Sequence, residues 1–472
     1  MKNHKFLTVI VIILSMIDTS FAQTPKVGIF DTAVDVGKPK LTGSSSYDST
    51  KQEYSLKGAG YNIWFNRDEF HYVASRIKGD FIVTADFEFP NPIGKDPHRK
   101  YGWMVRENLQ EDAAHFTATI HGDGLTVAQW RVMRGAHMRD PQDELFFPKK
   151  KARTIQIERK GKTYTMRIAN AGEPLQSYGS ITMENIGDNP YVGLFVGSHN
   201  ADAIEEARVW NVRVDKIMPL NFNFNGADSI GSRLEILDVF TGNRKVVYEN
   251  PTRFEAPNWM PDGKKLLFNS KGSIWTIPID GSAEPTKLNT GTVERNNNDH
   301  VISFDGKMLG ISSSRTGMFG GGSTIYVLPI TGGEPKLVTE KTPSYLHGWA
   351  ANNKEVYYVA RRDTNRNSLY HVFKANIDNG VETQLTRYTF GHVDGPEGSP
   401  DGKWIAYISF ADDIDPITHP GGKSVSLKLM PVNGGFPRTI AHLYGGQGTI
   451  NTPSWSPDSK KIAFVSYSGR VK

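Results

Sequence analysis

The sequence predicts an all-β protein in two parts, a jelly-roll-like β-sandwich followed by a β-propeller. Three observations carry that expectation. Gly is abundant (46 residues), aromatics reach 11%, and short β-rich runs recur between Gly, Asn, Asp and Pro clusters without long amphipathic helical patterns. Five stretches of the C-terminal half repeat one motif. The two ends of that repeat array are incomplete in complementary ways.

The chain opens with a short basic region (Lys2, Lys5) and the apolar run Phe6 to Ile17. Ser20-Phe21-Ala22 then sets small residues for cleavage before Gln23, the pattern of a secretory leader spanning 1–22. Twelve apolar residues are too few to cross a roughly 30 Å hydrocarbon core. There is no cysteine, which excludes disulfides, a thiolate nucleophile, Cys-ligated metal and a lipobox. The expected location is periplasmic or secreted, with no membrane span. Net charge is +5, and no run of five like charges occurs, which disfavours nucleic acid as a partner.

Residues 23–215 lack the repeat. Their runs Phe81 to Phe89, Tyr101 to Arg106, His115 to Ile120, Leu125 to Trp130, Thr154 to Arg159, Thr163 to Ile168 and Tyr191 to Gly197 read as strands. Phe81 to Phe89 alternates apolar and polar, as a strand with one wet face should. The order of these strands, with Gly102 to Glu107 and Val192 to His199, resembles concanavalin-like sandwiches of the laminin-G and DUF1349 type. That resemblance implies a concave sheet able to hold a glycan. Residues 216–230 read as a linker.

From 231 to 472 the motif recurs at Asn258 to Phe268, Val301 to Ile311, Gly348 to Tyr358, Glu397 to Tyr407 and Ser454 to Phe464. Its turns begin at 261, 304, 351, 400 and 457, the spacing of four-stranded blades. Each turn places Asp or Asn before Gly, Asn or Ser and then Lys, so the acidic or amide side chain is expected to bind its own turn backbone. A third strand, such as Ser273 to Pro278, and a short fourth, such as Pro285 to Leu288, follow. The last unit stops after two strands, while Leu234 to Phe240 and Arg244 to Tyr248 look like strands three and four without partners. Joining the two closes the ring and leaves no long free edge. The Pro-Asp-Gly units, with Ser344 to Trp349 and Gly445 to Ser459, resemble the TolB-like (WD40-like, PD40) propeller repeats. The resemblance implies six blades; the count is five, and both remain open.

In such a ring the start of each innermost strand points into a mouth on the face opposite the Pro-Asp-Gly turns. His300 and His347 each stand four residues before their turn, and His392 lies further out near Asp394 and Glu397. Imidazoles and carboxylates on one axis could hold a divalent metal. They could equally act as base and acid, which makes His300, His347, Asp394 and Glu397 the catalytic candidates. Glu255, Asn298, Asp299 and Asn451 flank them, and Arg315, Arg361 and Arg362 lie on neighbouring loops suited to carboxylate or sulfate groups. In the sandwich, Trp103, Arg106, Trp130 and Arg131 could stack on and grip a sugar, with His115 or His121 near, although alternating Trp is also core chemistry. Three functions follow: a glycan- or protein-binding protein of polysaccharide utilisation, a polysaccharide lyase or glycoside hydrolase, and a TolB-like envelope scaffold.

Overall fold

The computed structural model describes residues 26–94, 96–148, 152–218, 230–362, 370–385, 397–410, 414 and 420–468. The proposed leader lies outside them. The N-terminal half stacks two seven-stranded sheets. One runs, in spatial order, Thr32–Val36, Phe70–Arg76, Tyr191–Gly197, Lys100–Arg106, His115–His121, Thr126–Arg131 and Glu144–Phe147. The other runs Gln176–Thr182, Thr163–Ala169, Thr154–Lys160, Phe81–Glu88, Asn200–Lys216, Glu53–Gly60 and Ser44–Asp48. Alternate residues of both meet in one core, with Trp103, Phe116, Trp130 and Leu194 facing Phe81, Val83, Ile155, Tyr164 and Val209. Removing these large apolar side chains from water is the main term holding the sheets together, at about 25 cal/mol per Å².

The C-terminal half is a five-bladed propeller. Four blades are four-stranded sheets in chain order: Glu255–Trp259 to Thr286–Lys287, Asn296–Ile302 to Lys336–Leu337, Ser344–Trp349 to Glu382–Gln384, and Glu397–Gly398 to Arg438–Gly446. The fifth is composite. Lys461–Ser468, near the end of the described chain, pairs antiparallel with Gly231–Asp238, which pairs with Arg244–Asn250. A bridge from Trp455 to Ile462 supplies its innermost position. The repeat turns also form as their chemistry requires. Asp262, Asp305, Asn352, Asp401 and Asp458 each accept a backbone N–H two residues on, at 2.9–3.1 Å. In three of them Ser303, Ser399 and Ser456 donate a second hydrogen bond to the same aspartate oxygen. Tryptophans of the repeat tie blade to blade. Trp349 Nε1 donates to the Val301 carbonyl at 2.9 Å, and Trp455 Nε1 to the Glu397 carbonyl at 3.3 Å.

The halves meet along a polar seam. Arg213 of strand Asn200–Lys216 bonds Glu235 of strand Gly231–Asp238 at 2.6 Å, and Arg244 reaches both Glu235 oxygens at 2.8 and 3.0 Å. Arg213 Nε donates to Glu235 as well, at 3.2 Å, Ser466 adds a fifth donor, and Arg233 pairs with Asp215 at 2.5 Å. All these groups are buried. Burial alone would push the Glu235 carboxyl up, but Arg213 and Arg244 outweigh it and hold the group well below the usual carboxylate range.

The seam also corrects one expectation. Strand Phe81–Glu88 has no wet face: its polar residues Thr84 and Asp86 are buried on the side turned towards the propeller. Period-two alternation marked the right residues, and the second half of the chain replaces the water.

Candidate functional site

The propeller mouth is built from the starts of the innermost strands, and these are irregular. Register slips between Glu255 and Asn258, between Asn296 and His300, and between Leu346 and Gly348. Ala256 is in the left-handed region (φ 59) at the first of these bulges. A bulge re-aims the side chains around it, so equal sequence offsets need not give equal environments.

The two histidines at one register show the consequence. His300 is fully buried, and burial pushes its imidazole down to about 3, so it is neutral. The Asn451 amide nitrogen lies 3.0 Å from His300 Nδ1 and 2.7 Å from the His300 carbonyl; the Asn298 carbonyl lies 3.2 Å from the same Nδ1, and Nε2 is buried without a hydrogen-bond partner among the described residues. His347 sits within its bulge and is exposed. His392 and Asp394 lie outside the described residues. Among the described residues no group of three His, Asp or Glu side chains comes together to hold a metal. His300 and His347 thus share a sequence register but not an environment, one being buried and the other exposed.

Glu397 is buried, and desolvation pushes its carboxyl up to about 7, against hydrogen bonds from Ser454 N (2.9 Å) and Ser454 Oγ (3.2 Å). Asn258 donates to the Asn451 carbonyl at 3.0 Å. Glu397, Ser454, Asn451, Asn258 and His300 thus form a hydrogen-bonded belt linking four blades around the axis. Glu255 is also raised by burial, although its ion pair with Arg253 and a bond from Tyr467 lower it. Asp299 hydrogen-bonds Asn297 at 3.1 Å through its side chain. The belt's partners are internal, as crowded inner strand ends require.

The arginines divide. Arg362 is an internal clamp of blade three, bonding the Pro343 carbonyl, Ser344 Oγ and Glu382 at 2.6–2.9 Å over the rings of Tyr358 and Phe373. Arg315 closes its loop by a backbone bond to the Gly322 carbonyl at 2.8 Å. Arg361 lies over Phe319 (4.8 Å) and near Tyr370 (5.7 Å). Tyr370 and Phe319 are each 40% exposed, and Met318 beside them 43%. Tyr345 packs 6.1 Å from Tyr370, and burial and that neighbour push its hydroxyl up to about 12. These residues form an aromatic and cationic platform on the lip of blades two and three. The arginines pointed to this lip; its aromatic members were not singled out, because they belong to separate blades in sequence.

The sandwich candidates point the other way. Trp103 and Trp130 are core residues. Arg106 and Arg131 are buried and both bond Asp68, at 2.6–2.7 Å. His115 is buried beside the same carboxylate, 3.7 Å away, and His121 is buried at the far end of its strand. Stacking of a sugar on Trp103 or Trp130 is excluded by their position between the sheets, and Arg106 with Arg131 neutralises a buried charge instead.

No family model matches the chain. An uncharacterized protein of Agrobacterium fabrum, Atu1656, is 37% identical over 281 residues, covering 51% of this chain and 93% of that protein. The chain belongs to the family of Atu1656. A solved structure from Agrobacterium tumefaciens, provisionally named TolB, is 36% identical and covers 52% of this chain and all of its own, with a TM-score of 0.45. A dipeptidyl-peptidase 5 of Aspergillus oryzae is 36% identical over 85 residues, only 11% of that enzyme. Among the described residues no helix is long and apolar enough to cross a membrane.

Proposed function

We propose that the chain is a binding protein of the periplasm or cell exterior, delivered there by cleavage of a leader after Ala22, whose propeller lip receives a protein segment. The observation that carries this reading is the platform of Met318, Phe319, Tyr345, Arg361 and Tyr370. Exposed Tyr, Phe and Met around a half-buried Arg are the side chains that are enriched at protein–protein interfaces. The name TolB borne by the Agrobacterium tumefaciens relative supports an envelope setting. The internal use of Glu397, His300 and Asn451 favours a scaffold over a lyase or hydrolase, since these groups stabilise the ring.

The test is selection from a random peptide library on the immobilised full-length protein, in parallel with a glycan array. Peptide binders should emerge, and the double variant Arg361→Ala/Tyr370→Ala should lose them at unchanged melting temperature. Glycan binders without peptide binders would replace this reading with carbohydrate recognition. Unsaturated or reducing-end products from an acidic polysaccharide would replace it with catalysis.

A further inference from the structure

A second site lies away from the lip, in the seam. A cavity of about 310 Å³ opens between the outer face of strands Phe81–Glu88 and Thr154–Lys160 and the propeller segments 239–244 and 438–442. Its position is set by a bulge. Strand Asn200–Lys216 slips register between Trp210 and Arg213, and Asn211 there is left-handed (φ 54). The Asn211 side chain consequently leaves the sheet. Its Nδ2 donates to Asp86 Oδ2 (2.7 Å) and the Gly242 carbonyl (3.0 Å), while its Oδ1 accepts from Arg244 N (2.9 Å). Asn211 thereby adds three hydrogen bonds at the seam, two of them to the propeller half. Gly242 (φ 74) completes the rim, where a Cβ would stand 3.9 Å from Arg153.

The lining carries three guanidinium groups, Arg153, Arg244 and Arg438, against two carboxylates, Asp86 and Glu173. His442 adds no charge, since burial pushes it down to about 4. Arg244 is committed to Glu235, and Asp86 accepts from Thr154 Oγ1 at 2.6 Å as well as from Asn211. Arg153 and Arg438 are different. Among the described residues each makes one hydrogen bond, to the Thr241 carbonyl (3.2 Å) and the Val239 carbonyl (2.7 Å), out of five N–H donors. Arg153 Nε is buried without a hydrogen-bond partner there, 3.6 Å from Asp86, and the guanidinium lies 5.0 Å from the Trp210 ring, which holds its plane. Arg153 also walls an adjoining cavity of about 450 Å³ that contains Trp210, Tyr101 and Phe89.

We propose that this seam is a binding site for a carboxylate-bearing saccharide. The planar forks of Arg153 and Arg438 match a carboxylate, the amide of Asn170 and the hydroxyls of Thr84 and Thr241 suit ring hydroxyls, and the volume fits one or two sugar units. Placement between two domains is where such sites concentrate.

Calorimetric titration of the full-length protein with glucuronate, with glucose and with inorganic sulfate tests this. Glucuronate should bind while glucose gives no heat. Arg153→Gln should weaken glucuronate at least tenfold. Because Arg153 also bridges the halves, Asn170→Asp is the second variant: it keeps the shape, adds a negative charge, and should weaken glucuronate comparably with an unchanged melting temperature. Arg361→Ala on the lip should bind glucuronate like the parent, which separates this site from the peptide platform. Absence of glucuronate binding, equal binding of glucose, sulfate binding as tightly as glucuronate, or indifference to both seam variants would each overturn the proposal.

Discussion

The axial belt of the propeller and the seam between the halves are both buried and polar, yet they treat their polar groups in opposite ways. In the belt, His300, Asn451, Asn258, Ser454 and Glu397 point at one another and at strand carbonyls, and among the described residues no cation lies against the buried carboxyl of Glu397. In the seam the carboxylates meet arginines, and two arginines retain donors beyond their internal bonds. The difference teaches that burial of a titratable group is not by itself a mark of a ligand site. What distinguishes the seam is surplus hydrogen-bonding capacity facing a cavity.

The comparison can be broken most severely at Glu235. Glu235→Gln leaves Arg213 and Arg244 buried against a neutral partner, and urea titration should show a loss of about 3–5 kcal/mol. A smaller loss would mean that the seam contributes less to stability than its burial implies.

Titration sharpens it next. Glu397, raised from 4.5 to about 7, is protonated in the folded state where the unfolded chain is already ionised. Its contribution is fully present below pH 4.5 and is lost as pH rises through about 7, by roughly 3 kcal/mol at about 1.4 kcal/mol per pH unit. Glu235 has the opposite sign, since its stabilisation is present above the ordinary glutamate value and fades only in stronger acid. Melting curves across pH 4–8 should therefore fall on the alkaline side for the parent and flatten for Glu397→Gln. An unchanged slope in the variant would remove Glu397 as its source.

Substitution of the two histidines compares one sequence register in two environments. His300→Ala should cost about 2–3 kcal/mol, because it opens a cavity and strips a partner from Asn451. His347→Ala should stay within about 0.5 kcal/mol, as exposed positions do. Equal effects would mean that the bulges do not separate them. Between these lies Trp349→Phe, which leaves the Val301 carbonyl without its donor and should cost about 1 kcal/mol by thermal unfolding.

Much of the propeller was legible because its information is local. Asp305 binds Lys307 N two residues away, and such a turn is written in adjacent letters. The incomplete ends were legible too: Lys461–Ser468 pairs with Gly231–Asp238, as complementary half-blades must. The five-blade count stands against the six that the family resemblance implied. In the sandwich, Phe70–Arg76 and the 17-residue Asn200–Lys216 were not anticipated; the apolar periodicity of the second is interrupted by charges and by register slips. Trp103 and Trp130 were placed on the right strands, but composition alone left their face open; both belong to the core.

The amino-acid sequence by itself determined an all-β chain, a repeat of four-stranded blades and the way the ring closes, because each depends on turn chemistry and period-two alternation over a few residues. The tertiary structure decided where His300 and His347 point, what covers Thr84 and Asp86, and that Arg153 and Arg438 share a cavity. These depend on bulges and on contacts between residues 269 positions apart in the chain, such as His442 and the Glu173 carbonyl, which no local pattern encodes.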